Sequence, residues 1–323
     1  MNTLLFNDPS DLRVSVVIPV YKGADTLHPL VERLTRQLES TFSNYEILLV
    51  DDHSPDTSWD VINELSHANP KVRGIRLMKN SGQHNATLCG VRAAQYPITI
   101  TMDDDLQHPP EEIPTLLNEF QKGFDVVYGV PKKLPHSWWR NLGSKLTKSV
   151  LSHVMGIPIQ EIGAFRIFRT NLRMAFDHYR NSYVYLDPLL FWGSNKIGHV
   201  TVNEDSRTVG QSNYTFRSLV RAGLLILTGY STVPLSFATF LGFLFILFGL
   251  GVMIYVLVLS ITVGSVPGFP FLASLISLFA GVQLFSLGII GEYLARVYDS
   301  ATQKLPYIVE ETINDPGLPD ARS

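Results

Sequence analysis

From Arg13 to Val130 the chain alternates short apolar runs with segments in which apolar residues recur every three or four positions. RVSVVIPVY (13–21), YEILLVDD (45–52), the stretch 72–78, PITITMD (97–103) and DVVYGV (125–130) read as strands. Between them, 25–38, 57–68, 83–95 and 109–122 carry helical spacing. The last opens with Pro-Pro-Glu-Glu, which suits a first helical turn: proline forfeits no needed hydrogen bond there, and acids face the positive end of the helix dipole. Strand runs alternating with helices predict βαβ units, hence an α/β fold with a mostly parallel sheet. Such sheets bind ligands beyond the carboxyl ends of their strands, so polar residues at those ends are the first candidates for chemistry.

The later chain is patterned differently. Residues 136–155 mix a Trp pair with scattered Lys and Arg, and 214–229 set Arg217 and Arg221 ahead of an apolar run. Both suit helices lying at a membrane surface, although an ordinary covering helix fits the first equally well. From Ala222 to Gly291, 70 residues contain no Asp, Glu, Lys, Arg or His. Two spans fit there, 235–262 and 271–291, each meeting the ~20 apolar residues needed to cross ~30 Å of hydrocarbon. The Gly- and Pro-rich VGSVPGFP (263–270) makes the hairpin turn. One long re-entrant hairpin is the alternative. Arg217 and Arg221 precede the pair, Arg296 and Lys304 follow it, and the turn has no basic residue. Both ends are therefore expected on the cytoplasmic side.

Charge and composition narrow the classes. The 323 residues carry a net charge of −3, and residues 1–221 balance 23 basic against 23 acidic side chains. With 46% hydrophobic residues the chain is too apolar for a disordered or nucleic-acid-coating protein, and the uncharged stretch excludes a purely cytosolic one. The single cysteine, Cys89, rules out an intramolecular disulfide and a Cys-based zinc finger, and its Leu-Cys-Gly-Val setting reads as inert helix packing. The first ten residues have no positive leader or apolar run, which predicts no cleaved signal peptide.

The strongest chemical signal is Asp103-Asp104-Asp105-Leu106-Gln107-His108-Pro109. Adjacent carboxylates repel and call for a cation. Asp103 and Asp105 point the same way in extended chain, so the pair can grip a divalent ion with Gln107 as a further oxygen ligand. All-oxygen ligation favours Mg2+ or Mn2+ completed by phosphate oxygens; a helix-capping acidic cluster ahead of Pro109 is the simpler alternative. Asp51-Asp52-His53-Ser54 and Pro19-Val20-Tyr21 end two other strands on the same edge. Together these ends can hold a base, a ribose and a metal-bound diphosphate. Neither Gly-x-Gly-x-x-Gly after the first strand nor a P-loop is present, so dinucleotide and P-loop sites are not supported.

VVIPVYKG, EILLVDDHSPD, NSGQHNATLCG and MDDDLQHPPEEIP, in this order, resemble the family-2 glycosyltransferases of GT-A fold. EIGAFRIFR, RTVGQSNY and GEYLARVY narrow the resemblance to polyprenyl-phosphate glycosyltransferases, over roughly residues 13–310. The resemblance implies a GT-A catalytic domain with interfacial helices and a two-helix transmembrane hairpin. Its expected divisions are 1–213 (catalytic, cytoplasmic), 214–234 (amphipathic juxtamembrane helix), 235–291 (two spans) and 292–323 (cytoplasmic tail). It implies inverting, metal-dependent transfer of a sugar from a UDP- or GDP-linked donor to a polyprenyl-phosphate acceptor at the inner, or plasma, membrane. A homo-oligomer is expected from the family, and the span glycines permit close helix packing.

Carried over by position, Pro19, Tyr21 and Asp52 match donor base and ribose positions, with Asp104 counted among the donor-binding residues. Asp103, Asp105 and Gln107 match the metal and diphosphate positions. Arg140 matches a basic position near the acceptor phosphate, and Glu161 and Arg166 lie in the segment that closes the sugar site. Arg207, Ser212 and Tyr214 match an acceptor element beside the membrane. Asp105, Arg140 and Arg207 are the catalytic candidates. The sequence departs from the family pattern at Lys22-Gly23, where Asn-Glu is usual, and at His53, where Gly is usual. A processive polysaccharide synthase and a catalytically silent membrane scaffold are the competing readings; the first lacks its Gln-x-x-Arg-Trp and the second is opposed by the acidic clusters.

Overall fold

The computed structural model describes residues 12–132, 163–180, 184–205, 232–262, 268–302 and 304–314. The chain divides into two compact units, 1–213 with 303–323, and 214–302.

In the first unit β1 (Arg13–Val20), α1 (Ala24–Thr41), β2 (Asn44–Asp51), α2 (Ser58–Ala68), β3 (Val72–Leu77), α3 (Gln83–Ala93), β4 (Ile98–Thr101), α4 (Ile113–Phe120) and β5 (Val126–Pro131) follow the predicted alternation. Beyond them come β6 (Arg166–Arg169), α5 (Leu186–Gly193), β7 (Ile197–Val202) and, after the second unit, β8 (Val309–Ile313). Among the described residues the strands form one sheet in the order β7-β5-β6-β4-β1-β2-β3-β8. The β1–β2, β1–β4, β2–β3 and β5–β7 pairs are parallel; β6 runs antiparallel to β4 and β5, and β8 antiparallel to β3.

The central strands are mostly apolar because both faces are covered, with Ser15, Glu46 and Thr99 among the buried polar exceptions. Every residue of β1 after Arg13 and every residue of β2 after Asn44 is buried. One face packs against Leu27, Leu30, Leu34 and Leu38 of α1 and Ile113, Leu116 and Phe120 of α4. The other packs against Ala86, Cys89 and Ala93 of α3. Cys89 is fully buried in that layer, as its sequence setting implied. Gly90 lets α3 lie hard against the sheet: a Cβ there would sit 2.3 Å from Val17 Cγ1.

The stretch read from sequence as a tail contributes the edge strand β8. Asn314 closes it, its amide donating to the carbonyls of Ser66 (2.5 Å) and Val72 (3.0 Å).

The second unit contains α6 (Val233–Thr262) and α7 (Phe269–Ala301). Within them Val233–Leu259 and Leu278–Ala301 have mean hydropathies of 2.7 and 1.5, are long and apolar enough to cross a membrane, and bury no residue of their most apolar windows. The two helices fit a transmembrane hairpin: Phe279 stacks edge-on against Phe245 at 5.9 Å and fills the space beside Gly249. Helix α7 continues past the predicted span end at 291, carrying Glu292 and Arg296 as an i,i+4 pair.

Candidate active site

Parallel strands β1, β2 and β4 end on one edge, and the turns leaving them converge on a cavity of about 380 Å³, within the size range of small-ligand pockets. Pro19 and Tyr21 line it from the end of β1, Asp52 from the end of β2, and Asp103, Asp104 and Asp105 from the end of β4. Asn80, Gly82 and Gln83, before and at the start of α3, complete the wall.

Asp52 shapes the cavity. Its Oδ1 accepts from the Ser81 amide at 2.6 Å and its Oδ2 from the Gly82 amide at 2.8 Å. Burial pushes its carboxyl upward and these two amides draw it back. Gly82 has φ +92°, a left-handed conformation that glycine adopts without Cβ strain. Asp51 faces away, accepting from the Ser54 amide at 3.1 Å with Arg76 3.5 Å from its other oxygen.

The acidic run does not point in one direction. Asp103 accepts from the Gln83 amide side chain at 2.6 Å. Asp104 turns back toward β1, accepting from the Tyr21 amide at 3.3 Å. A Cβ at position 23 would lie 2.5 Å from that carboxylate, so glycine is what leaves room for it. Asp105 accepts from the Gln107 amide at 3.1 Å, and Leu106 between them takes φ +61°, a tight turn. The Gln107 carbonyl accepts from the Asp205 amide at 3.0 Å, tying this turn to the chain after β7. Burial, opposed by the Tyr21 amide and aggravated by the charges of Asp103 and Asp105, pushes the Asp104 carboxyl up to about 7. The three adjacent carboxyls thus work against one another's ionisation.

These residues fit a divalent cation of one kind. Among the described residues no three His, Cys, Asp or Glu side chains converge on a common point. Two carboxylates at the mouth of a cavity, with the remaining positions left to phosphate and water, is how Mg2+ is commonly held.

Pro19, Tyr21, Asp52, Asp103, Asp104 and Asp105 are brought to one cavity. Arg166 is not among its lining residues. It is 3% exposed, donates from Nε to Thr101 at 2.9 Å and pairs with Asp187. Arg140, Glu161, Arg207, Ser212 and Tyr214 lie outside the described residues, as do the predicted interfacial helices. Sequence reasoning did not single out Gln83 or the Ser81 and Gly82 amides, although all three stand in the NSGQHNA run. It also missed Asp187, Tyr128 and His108, whose ring stacks on Phe165 at 5.2 Å. The two departures at Lys22 and His53 fall at φ +59° and +55°. They occupy the left-handed region where Asn and Gly cost least.

A model of glycosyl transferase family 2 matches residues 15–180. Among solved structures, M. tuberculosis glucosyl-3-phosphoglycerate synthase with Mn2+, UDP-glucose and phosphoglyceric acid is 14% identical, the match covering 67% of this chain and 78% of that one at a TM-score of 0.51. S. aureus TarS 1-349 with UDP-GlcNAc is 15% identical over 68% of this chain at a TM-score of 0.48. The chain spans 59% of TarS 1-349 alone and 66% of it in that complex. At these identities the likeness is one of fold: a GT-A, Rossmann-like sheet. The family match runs from β1 past β6, through every strand end that lines the cavity and over more than half of the chain, and the protein belongs to glycosyltransferase family 2.

Proposed function

We propose that the protein is an inverting, metal-dependent glycosyltransferase that moves a sugar from a UDP- or GDP-linked donor to a polyprenyl phosphate at the cytoplasmic face of a membrane. The observation that carries this reading is the coexistence of the acidic strand-end cavity with two span-length apolar helices in one chain. Connectivity supports the sidedness. The chain leaves the catalytic unit, makes two crossings, and from Ala301 re-enters the same sheet at Val309. An even number of crossings puts both ends on one side, and the basic residues flanking the pair favour the cytoplasm. The M. tuberculosis neighbour holds Mn2+ and UDP-glucose together, and the same donor mode is inferred here.

Asp103 and Asp105 would hold the cation, with Tyr21, Asp52 and the 80–83 wall around the nucleotide. When bound, the cation offsets charge building on the leaving diphosphate. Asp103 and Asp105, kept in register by Gln83 and the Gln107 amide, orient that diphosphate at the strand ends. The nucleophile is a phosphate oxygen of the acceptor, largely ionised near neutral pH because a phosphate monoester has a second pKa of about 6. No strong general base is required, and direct displacement inverts the anomeric carbon. Arg140 and Arg207 are assigned to neutralise and aim the acceptor phosphate.

Mass spectrometry of the organic-extractable product, after incubating the purified protein with undecaprenyl phosphate, Mn2+ and a panel of nucleotide-sugars, tests the reading. A glycosyl phosphoprenol is expected; aqueous polymer would favour a processive synthase, and absence of any product would favour a silent scaffold.

A further inference from the structure

Thr101, Arg166 and Tyr128 are successive cross-strand partners on β4, β6 and β5. They form one row at the carboxyl end of β4, two residues before Asp103. Arg166 donates to Thr101, and both Arg166 Nη1 and the Tyr128 hydroxyl (3.0 Å) meet a single oxygen, Oδ1, of Asp187 at the start of α5. Among the described residues no hydrogen bond reaches Oδ2. The Asp187 side chain retains 15% exposure while that of Arg166 retains 3%. Among the described residues the network therefore ends in one carboxylate oxygen with no hydrogen-bond donor.

Helix α3 ties this carboxylate to the acidic strand end. Gln83 donates to Asp103, and the next residue, His84, packs its ring 4.7 Å from that of Tyr185, two positions before Asp187. Burial pushes the His84 imidazole below its ordinary value, against the pull of Asp187 and with that of Arg166. A buried Arg–Asp pair adds little net stability over apolar residues of similar size, so stability alone does not account for this one.

We propose that Asp187 contacts the sugar half of the donor, its Oδ2 accepting hydrogen bonds from sugar hydroxyl or amino groups, with Arg166 and Tyr128 as positioning residues. The proposal rests on the donor reading above. A diphosphate at Asp103 and Asp105 carries its sugar directly attached, on the neighbouring stretch of the strand-end edge. A carboxylate oxygen can only accept, so its occupant must donate; the acceptor lipid's phosphate is excluded by like charge.

Calorimetry on the full chain in detergent with Mn2+ tests this, using UDP, GDP and a panel of UDP- and GDP-linked hexoses and pentoses. Asp187→Asn is expected to bind the free nucleoside diphosphate within about twofold of wild type and the matching sugar nucleotide at least ~10-fold more weakly, the size of one lost charged hydrogen bond. Tyr128→Phe is expected to lose about threefold on the sugar nucleotide alone, as one neutral positioning bond is removed. Equal weakening of both ligands, or of neither, overturns the proposal. Should Asp187→Asn not fold, Tyr128→Phe decides by the same comparison. A wild type that binds the free diphosphate but gains nothing from any sugar overturns the Asp187 proposal alone. One that binds no nucleotide overturns the donor reading and this inference with it.

Discussion

The sheet has two halves that meet at β4, and they are built differently. On the β1–β2–β3 side, parallel strands are joined by helices, and the cavity draws its polar groups from the strand ends. On the β5–β6–β7 side an antiparallel strand is inserted, and a buried Arg166–Asp187–Tyr128 network stands within the layers. Among the described residues each half also has a deeply buried arginine–carboxylate pair. In the first, Glu46 and Arg73 meet at 2.5 Å and Glu46 also accepts from Ser15 and from the Gln95 amide, at the end of the sheet away from the cavity. In the second, the pair lies beside Asp103. The same chemistry is placed for architecture in one half and for ligand contact in the other.

Removing the tail strand breaks the comparison most severely. Deleting residues 304–323 exposes the β3 edge and removes the Asn314 latch, together with the ion pairs Glu310 makes to Arg76 (3.6 Å) and His53 (3.8 Å). The expected outcome is insoluble or cooperatively destabilised protein, read by thermal unfolding. Glu46→Ala comes next. It leaves the buried Arg73 guanidinium without this carboxylate, at a cost of about 3–5 kcal/mol, while the donor preference of the folded fraction is unchanged. A shifted donor preference in that variant would contradict the division of roles.

Asp105→Asn is expected to leave the melting temperature within a few degrees of wild type and lower transfer by about 100-fold or more, the size seen when a group stabilising transition-state charge is lost. Wild-type transfer in a metal-buffered assay would remove Asp105 from the site.

The Asp104 carboxyl gives a pH signature. Its folded value of about 7 lies above the unfolded one, near 3.8, so the folded state holds the proton more tightly. Stability from this group is full below pH 4 and is lost as pH rises toward 7. In chelator, wild type should lose on the order of 2 kcal/mol across that window relative to Asp104→Asn, after allowing for solvent screening. Parallel pH curves for the two proteins would contradict the raised Asp104 carboxyl. The smallest effect is expected from Lys22→Asn, which relieves a left-handed lysine and should stabilise by up to about 1 kcal/mol, read as a small rise in denaturation midpoint.

The two halves also differ in how far they could be read from sequence. Between residues 13 and 131 strand and helix positions follow from local periodicity, to within one to four residues, because each βαβ unit buries its own apolar face. The strand-end acids were legible for the same reason: a carboxylate after an apolar run has nowhere to go but the edge. Arg166 pairs with a residue 21 positions away and Tyr128 with one 59 away. No local pattern encodes such partners, so Asp187 drew no reading from the sequence and Arg166 drew one only from the family resemblance. Strand β8 was hidden likewise, since Val-Glu-Glu-Thr-Ile is an edge strand whose acids face solvent and it finds β3 more than 200 residues upstream. The clamp of Asp52 on the Ser81 and Gly82 amides uses backbone donors, which leave no trace in residue type.

The most direct test is a calorimetric titration of the full chain with nucleoside diphosphate sugars, with and without Mn2+, alongside Asp103→Asn and Asp105→Asn. Tight binding that requires Mn2+ in wild type and fails in both variants is the predicted result. Donor binding that is indifferent to both the cation and the two carboxylates would contradict the account at its centre.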